Sequence, residues 1–370
     1  MSKLSLTPRA ILIDVIPLQM DKPTAERRLG ELDLLTKTYG GITVVKILQR
    51  RTRPDYRTFV GSGKLNELFA FAKQEKVEVL IVNNLLKPKQ LFEIEELARK
   101  AKIPIKVWDR VDLILKIFDK HAKTAEAKLQ IKLAAIRHMG PRIFGMGMEL
   151  MQQAGGTGTR GGQGETNTEI MKRHLAEQEK QVKKELERVA RSRANHRLRR
   201  DRIGLKTVSI VGYTNAGKSS LLRALTNKDA YVADELFATL DTRIGKMSDH
   251  ILLSDTIGFI QDLPPQLIDA FRSTLDETID ADLILHVIDA SDPWMKDKIV
   301  EVESILKQLH VQDKPVIYVF NKMDQAKKVP KTRLRWEFKY EKPVFVSALK
   351  KMGLEELKKK IAKALPKVNS

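Results

Sequence analysis

Gly212-Tyr213-Thr214-Asn215-Ala216-Gly217-Lys218-Ser219 follows directly on the apolar, β-branched run Leu205 to Val211 and leads into the helical pattern Ser219 to Thr226. A buried strand, a G-x-x-x-x-G-K-S loop and a helix start in that order are the context a phosphate-binding loop requires. Gly217 lets the backbone pass close to an anion, and successive N–H groups with the helix N-terminus hold it. Lys218 is suited to neutralising β and γ phosphates and Ser219 to ligating Mg²⁺. Strand–helix alternation continues from there: Ile251 to Ser254, Leu283 to Ile288, Val316 to Phe320 and Val344 to Val346 read as strands. Gln266 to Asp280, Lys298 to Leu309 and Leu354 to Ala364 read as the interleaved helices. The pattern predicts a doubly wound sheet with its ligand at the carboxyl ends of the strands.

Three further motifs stand at those ends. Asp255-Thr256-Ile257-Gly258 has the spacing for a water-mediated Mg²⁺ contact from Asp255 and a γ-phosphate contact from the Gly258 N–H. Asn321-Lys322-Met323-Asp324 ends the strand after Pro315, where the Asp324 carboxylate can accept two hydrogen bonds from guanine, a pair of donors that adenine lacks. Ser347-Ala348-Leu349 follows the last strand, where a backbone N–H can reach the guanine oxygen. Each motif alone is compatible with a turn. Together and in order they imply a GTP/GDP site, with GTP hydrolysed to GDP and phosphate, and argue against the rival reading of a P-loop metabolic or signalling enzyme without an RNA partner. Position 259, where many GTPases carry a water-orienting glutamine, is Phe259. It reads as a core side chain, and hydrolysis is then expected to be slow and to rely on backbone, metal or a partner.

Upstream, Ile11 to Val15, Thr43 to Leu48, Val79 to Val82 and Ile105 to Trp108 read as strands, alternating with helical patterns at Ala25 to Tyr39, Lys64 to Gln74 and Pro88 to Lys100. Gly61-Ser62-Gly63-Lys64 imitates half a phosphate loop and is read as a helix start. A helical stretch runs from Asp112 through the Lys120 to Arg137 region, and another from Thr168 to about Arg202 with Leu175, Val182 and Val189 at heptad spacing. Between them, Gly155 to Gly164 is too glycine-rich for helix or strand. The expected architecture is α/β: a P-loop domain (203–370) preceded by a small parallel α/β domain (1–115) and a long antiparallel helical arm (116–202) with a glycine-rich loop at 155–164.

The 370 residues carry a formal net charge of +20 and no cysteine. Disulfides and thiolate metal sites are excluded, and the seven histidines form no ligand-like i, i+4 pair near carboxylates. No apolar run approaches the length of a membrane helix and no signal pattern is evident, so a cytoplasmic protein without a membrane span is expected. The charge points to a polyanion, RNA before membrane. Arg160, Arg193, Arg197, Arg199 and Arg200, in the loop and at the arginine-dense end of the arm, are the residues singled out for RNA, against the alternative of a solvated helix face.

The sequence resembles the translational GTPases in the broad sense and, more closely, the HflX family of ribosome-associated GTPases. The resemblance rests on Gly212 to Ser219, on Leu-Phe-Ala-Thr-Leu-Asp at 236–241 and on Asp-Thr-Ile-Gly-Phe-Ile at 255–260. Asp109-Arg110 with the Leu113 to Phe118 segment, and the glycine stretch with Gly164-Glu165-Thr166, extend it over nearly the whole chain. The resemblance implies that Phe237, Ala238, Thr239, Leu240 and Asp241 form a switch segment over the nucleotide, with Thr239 closing on Mg²⁺ and γ-phosphate and Thr242 as its rival. It implies binding to the large ribosomal subunit and its rRNA, with a role in splitting or rescuing stalled ribosomes; a GTPase of RNA modification or chaperoning is the alternative, and a monomer is expected. Asn215 looks like the residue that holds a K⁺ ion in potassium-dependent GTPases, or else a turn-stabilising asparagine. The stretch between Asp241 and Ile251 is short for this family.

Overall fold

The computed structural model describes residues 7–138, 167–226, 243–256, 258–261, 267, 275, 278–311, 313–326, 334 and 343–365. Two compact units emerge, Met1–Lys120 with Leu129–Glu185, and His121–Lys128 with Leu186–Ser370.

The first unit contains β1 (Arg9–Ile16), α1 (Lys22–Tyr39), β2 (Ile42–Arg50), α2 (Ser62–Gln74), β3 (Val79–Val82), α3 (Pro88–Lys100), β4 (Lys106–Asp109) and α4 (Arg110–His121). The strands form a parallel sheet in the order β2-β1-β3-β4, as the alternation predicts. The apolar residues of β1 and β3 are buried on both faces, as a sheet covered by helices requires. Helix α1 starts three residues before its apolar period because Asp21 caps it, accepting from the Thr24 N–H at 3.0 Å, and Pro23 suits the first turn. It ends at Gly40, whose φ of 96° is the left-handed conformation of a helix C-cap. Gly61 precedes α2 and Ser62 opens it, so this glycine pair is a helix start. Where β4 meets α4, Asp109 and Asp112 accept each other's backbone N–H at 2.9 and 3.1 Å. The His138 imidazole reaches both carboxylates, at 3.2 and 3.4 Å, and pins the helical residues 129–138 to this corner.

The segment read as one helical stretch from Asp112 to Arg137 is broken at residues 122–124. Thr124 supplies a side-chain cap to the second piece, accepting from the Ala127 N–H at 3.2 Å. Helix α5 (Asn167–Arg202) buries Val182 and half-buries Leu175, Leu186 and Val189, the heptad positions, while most other described side chains are exposed. Arg137 pairs with Glu179 at 3.1 Å in the first unit, and Arg193 with Glu126 in the second. The glycine loop at 155–164, Arg160 included, lies outside the described residues.

The second unit holds β5 (Lys206–Gly212), α6 (Lys218–Thr226), β6 (Arg243–Ser248), β7 (Ile251–Asp255), β8 (Leu283–Asp289), α7 (Met295–Gln308), β9 (Val316–Asn321), β10 (Val344–Phe345) and α8 (Leu354–Ala364). Its sheet runs β10-β9-β8-β5-β7-β6, parallel except for β6 against β7. Connections leave β5 in both directions, so the loop after β5 sits at the topological switch point. Val208, Ile210, Leu253, Leu283, Leu285 and Val287 pack one face against α6 and α8. Strand β6 was not expected. Its sequence Arg-Ile-Gly-Lys-Met-Ser is half polar and buries only Gly245, the pattern of a solvated edge strand rather than a core strand.

Candidate nucleotide site

Strand β5 delivers its last residue, Gly212, at a φ of 152°, and a Cβ there would run into the Val287 carbonyl oxygen of β8. Asn215 has a φ of 61° and Gly217 of 89°, so the loop makes two left-handed turns before α6 begins at Lys218. Asparagine is among the few side chains that tolerate that conformation, which accounts for Asn215 as a turn residue. A Cβ on Gly217 would strike the Asn321 amide.

Lys218 is buried, its ammonium donating to the carbonyl oxygens of Tyr213 at 2.9 Å and Gly212 at 3.2 Å. Burial pushes its pKa down to about 8, against the opposing pull of Asp255. Ser219 Oγ donates to Asp255 Oδ2 at 2.6 Å, bringing a hydroxyl and a buried carboxylate from separate elements together. Two adjacent hard oxygen donors at the start of a helix beside a phosphate loop suit Mg²⁺, which prefers oxygen ligands. Thr256 Oγ1 donates to the Ile210 carbonyl at 2.9 Å, fixing the chain where it leaves β7. A Cβ on Gly258 would lie 2.8 Å from both Lys218 Nζ and Thr214 Cγ2. Phe259 is fully buried, and its backbone pairs with the phosphate loop: Thr214 N–H donates to Phe259 O at 2.7 Å and Phe259 N–H to Gly212 O at 3.2 Å. The core reading of Phe259 holds, and its backbone rather than its ring meets the loop.

At the other end, Asn321 is buried and serves two loops, donating to Ala216 O at 2.9 Å and accepting from Ala348 N–H at 3.0 Å. Asp324 Oδ1 accepts from Ser347 Oγ at 2.6 Å, and Lys350 N–H donates to the same hydroxyl at 3.0 Å. Met323 N–H donates to Val346 O at 3.2 Å, and Leu349 is exposed at the rim. The segments 212–219, 255–256 with Gly258, 321–324 and 347–349 therefore converge at one end of the sheet.

The family described as 50S ribosome-binding GTPase matches residues 207–322. The N-terminal and middle regions of GTP-binding GTPases match residues 26–119 and 121–200. GTPase HflX of Caldanaerobacter subterraneus subsp. tengcongensis is 39% identical over 361 residues, spanning 96% of this chain and 80% of that protein. GTPase HflX of Escherichia coli K12 is 37% identical over 333 residues, 89% of this chain and 77% of that protein. The chain belongs to the HflX family of GTPases. A crystal structure of SsGBP with GDP matches at 25% identity and a TM-score of 0.55, over 96% of this chain and 98% of that one. A GTP-binding protein from Sulfolobus solfataricus in complex with GDP matches at 25% identity and a TM-score of 0.52, over 97% and 98%. GTP and GDP are accordingly the ligands of this HflX-family chain, and GTP hydrolysis is its activity.

Of the other expected HflX residues, Phe237, Ala238, Thr239, Leu240, Asp241, Thr242 and Ile257 lie outside the described residues. Among the arginines of α5, Arg193 is paired with Glu126 and Arg197 with Asp280, while Arg199 is exposed. No described helix is long and apolar enough to cross a membrane. Two residues of β8 that carry no motif in the sequence bear on the site, His286 at mid-strand opposite Val211 and Asp289 at the strand's end. His286 is buried beside Tyr318, with burial and the charge of Lys218 pushing its pKa down to about 3. Asp289 closes the strand. The available signal for Asp289 is position, at the end of an apolar strand in a fold that places ligands there; His286 is marked only as a polar residue inside that apolar run.

Proposed function

We propose that this HflX-family GTPase binds guanine nucleotide through Asp324 and uses its basic arm to dock on the large ribosomal subunit, where the GTP state favours splitting or rescue of stalled ribosomes. The base reading is carried by the Asp324–Ser347 contact, which orients the carboxylate beside the loop whose Ala348 N–H is held by Asn321. Lys218 neutralises the β and γ phosphates, the N–H groups of residues 213–219 cradle them, and the Gly258 N–H meets the γ-phosphate. Ser219 and Thr239, with Asp255 through a water, would hold a Mg²⁺ ion, which would supply positive charge to the phosphate oxygens. Because residue 259 is an inward phenylalanine, the attacking water depends on backbone groups or a partner, and unassisted turnover is slow. Asn215 is suited to helping place a K⁺ ion; equal hydrolysis rates in potassium and sodium salts would leave it a turn residue only.

The ribosomal reading rests on the family description matched by residues 207–322 and on the net charge of +20. Arg160, Arg193, Arg197, Arg199 and Arg200 are its phosphate contacts, each neutralised phosphate releasing counterions, so binding falls steeply with salt. Co-sedimentation with separated subunits tests it: pelleting with large subunits should be strongest with a nonhydrolysable GTP analogue. Failure to pellet in any nucleotide state at low salt would remove the ribosomal role and leave the GTPase.

A further inference from the structure

We infer that Asp289 is a positioning residue for the nucleotide site, acting through Lys322; the inference rests on reading residues 321–324 as the guanine motif. Asp289 is the last residue of β8 and the register partner of Asn321 in β9, and the next N–H, that of Ala290, donates to Asn321 O at 2.9 Å. The carboxylate is thus locked to the strand end from which the motif departs. Its two oxygens have separate duties. Oδ1 accepts from the N–H of Ser291 at 2.9 Å and from its hydroxyl at 2.6 Å, which shapes the turn after β8. Oδ2 stands 2.8 Å from the Lys322 ammonium, with the two side chains only 19% and 22% exposed.

A lysine carries a long flexible stem, and ordering it when a ligand arrives costs rotamer entropy. Held by Asp289 beforehand, Lys322 presents a fixed surface two residues from Asp324, and that cost is removed from the binding step. The backbone is prepared in the same way: Lys322 has a φ of 59°, and its carbonyl accepts from the N–H groups of Gln325 at 2.9 Å and Ala326 at 3.2 Å. The segment after Asp289 braces the phosphate loop as well. Asp292 holds Lys298 at 2.5 Å, and that ammonium lies 4.5 Å from the centre of the Tyr213 ring. One connection, residues 289–298, therefore orders a side chain in the guanine motif and another in the phosphate loop.

The bland account is that Asp289 only shapes its own turn. Asp289→Asn separates the two, since Asn keeps the oxygen facing Ser291 and loses the charge facing Lys322. In the full-length chain, stopped-flow release of a fluorescent GDP and steady-state hydrolysis are measured for D289N, K322M, the double variant and S291A. We expect D289N to bind GDP about tenfold more weakly, the scale of one lysine's ordering, with KM raised equally and kcat at saturation within about twofold. K322M should lose at least as much, the double variant no more than K322M alone, and S291A nothing. Wild-type affinity in D289N beside a weakened K322M overturns the role of Asp289 and leaves the guanine motif standing. Losses that multiply in the double variant, or a loss in S291A equal to that in D289N, assign Asp289 to the turn and overturn the proposal. If K322M binds GDP like the wild type, Lys322 takes no part in binding and the inference falls, while the guanine reading through Asp324 stands.

Discussion

The side-chain amide of Asn321 donates to the carbonyl oxygen of Ala216 at 2.9 Å, tying the strand-end motif of β9 to the phosphate loop. Its oxygen accepts the Ala348 N–H at 3.0 Å, so one buried side chain joins three loops. Asn321→Ala leaves a buried carbonyl and a buried N–H without that partner, at a cost of about 1–3 kcal/mol. The expected outcome is a lower melting temperature and GDP affinity weakened by roughly tenfold or more. Thermal unfolding with and without GDP, together with calorimetric titration, reads both; an unchanged affinity would show that the tie is structural only.

Gly258 is packed so closely that a methyl group would lie 2.8 Å from Lys218 Nζ and from Thr214 Cγ2. Gly258→Ala must displace Lys218 or Thr214, at the end of the site proposed for the γ-phosphate. Hydrolysis is expected to fall on the order of 10²-fold, the scale of a misplacement of about 1 Å, with GDP binding largely kept because the base end is untouched. Single-turnover cleavage beside GDP titration checks the split, and wild-type cleavage rates would exclude Gly258 from the reacting end.

Burial lowers the Lys218 pKa to about 8 from 10.5. Nucleotide phosphates favour the charged lysine, so GDP affinity should weaken as pH rises through about 8, and binding above that pH should take up a proton. For the chain without nucleotide the sign is opposite. Between about 8 and 10.5 the unfolded chain holds more protons than the folded one, so this group's contribution to stability rises with pH across that window. Titrations near pH 7 and pH 9 in buffers of different protonation heat would detect the uptake; no proton linkage would mean that Lys218 does not face the phosphates.

His286 titrates near 3 in the folded chain and 6.5 in the reference state, burial being the larger cause and the Lys218 charge the smaller. The unfolded chain therefore binds the proton first, and stability falls as pH drops from about 6.5 toward 3. His286→Phe removes this dependence. Between pH 7 and 5 the wild type should lose on the order of 2 kcal/mol more than the variant. Urea unfolding of both at the two pH values is the measurement, and parallel losses would place the acid sensitivity elsewhere.

Most strands and helices were legible because their apolar residues recur at period 2 or 3.6 or in short β-branched runs. Helix α1 begins at Lys22 rather than Ala25 because its cap and first turn are polar and carry no period. Strand β6 escaped notice for a related reason: at a sheet edge only Gly245 is buried, so the hydrophobic pattern is missing and pairing with β7 alone makes it a strand.

The sequence alone determined the kind of ligand. A phosphate cradle is built from consecutive backbone N–H groups, and Asp324, the carboxylate proposed for guanine, sits at a set distance from a strand end, so both leave their mark as local spacing. Tertiary structure alone decided which of those parts touch. Ala216 and Asn321 lie 105 residues apart, Ser219 and Asp255 36 apart, and Arg197 and Asp280 83 apart. Strand order and register set these pairings, and they arise from packing two faces of a sheet at once, a global condition that no single window of residues carries. For the same reason register alone assigns Asp289, placing it opposite Asn321 and beside Lys322.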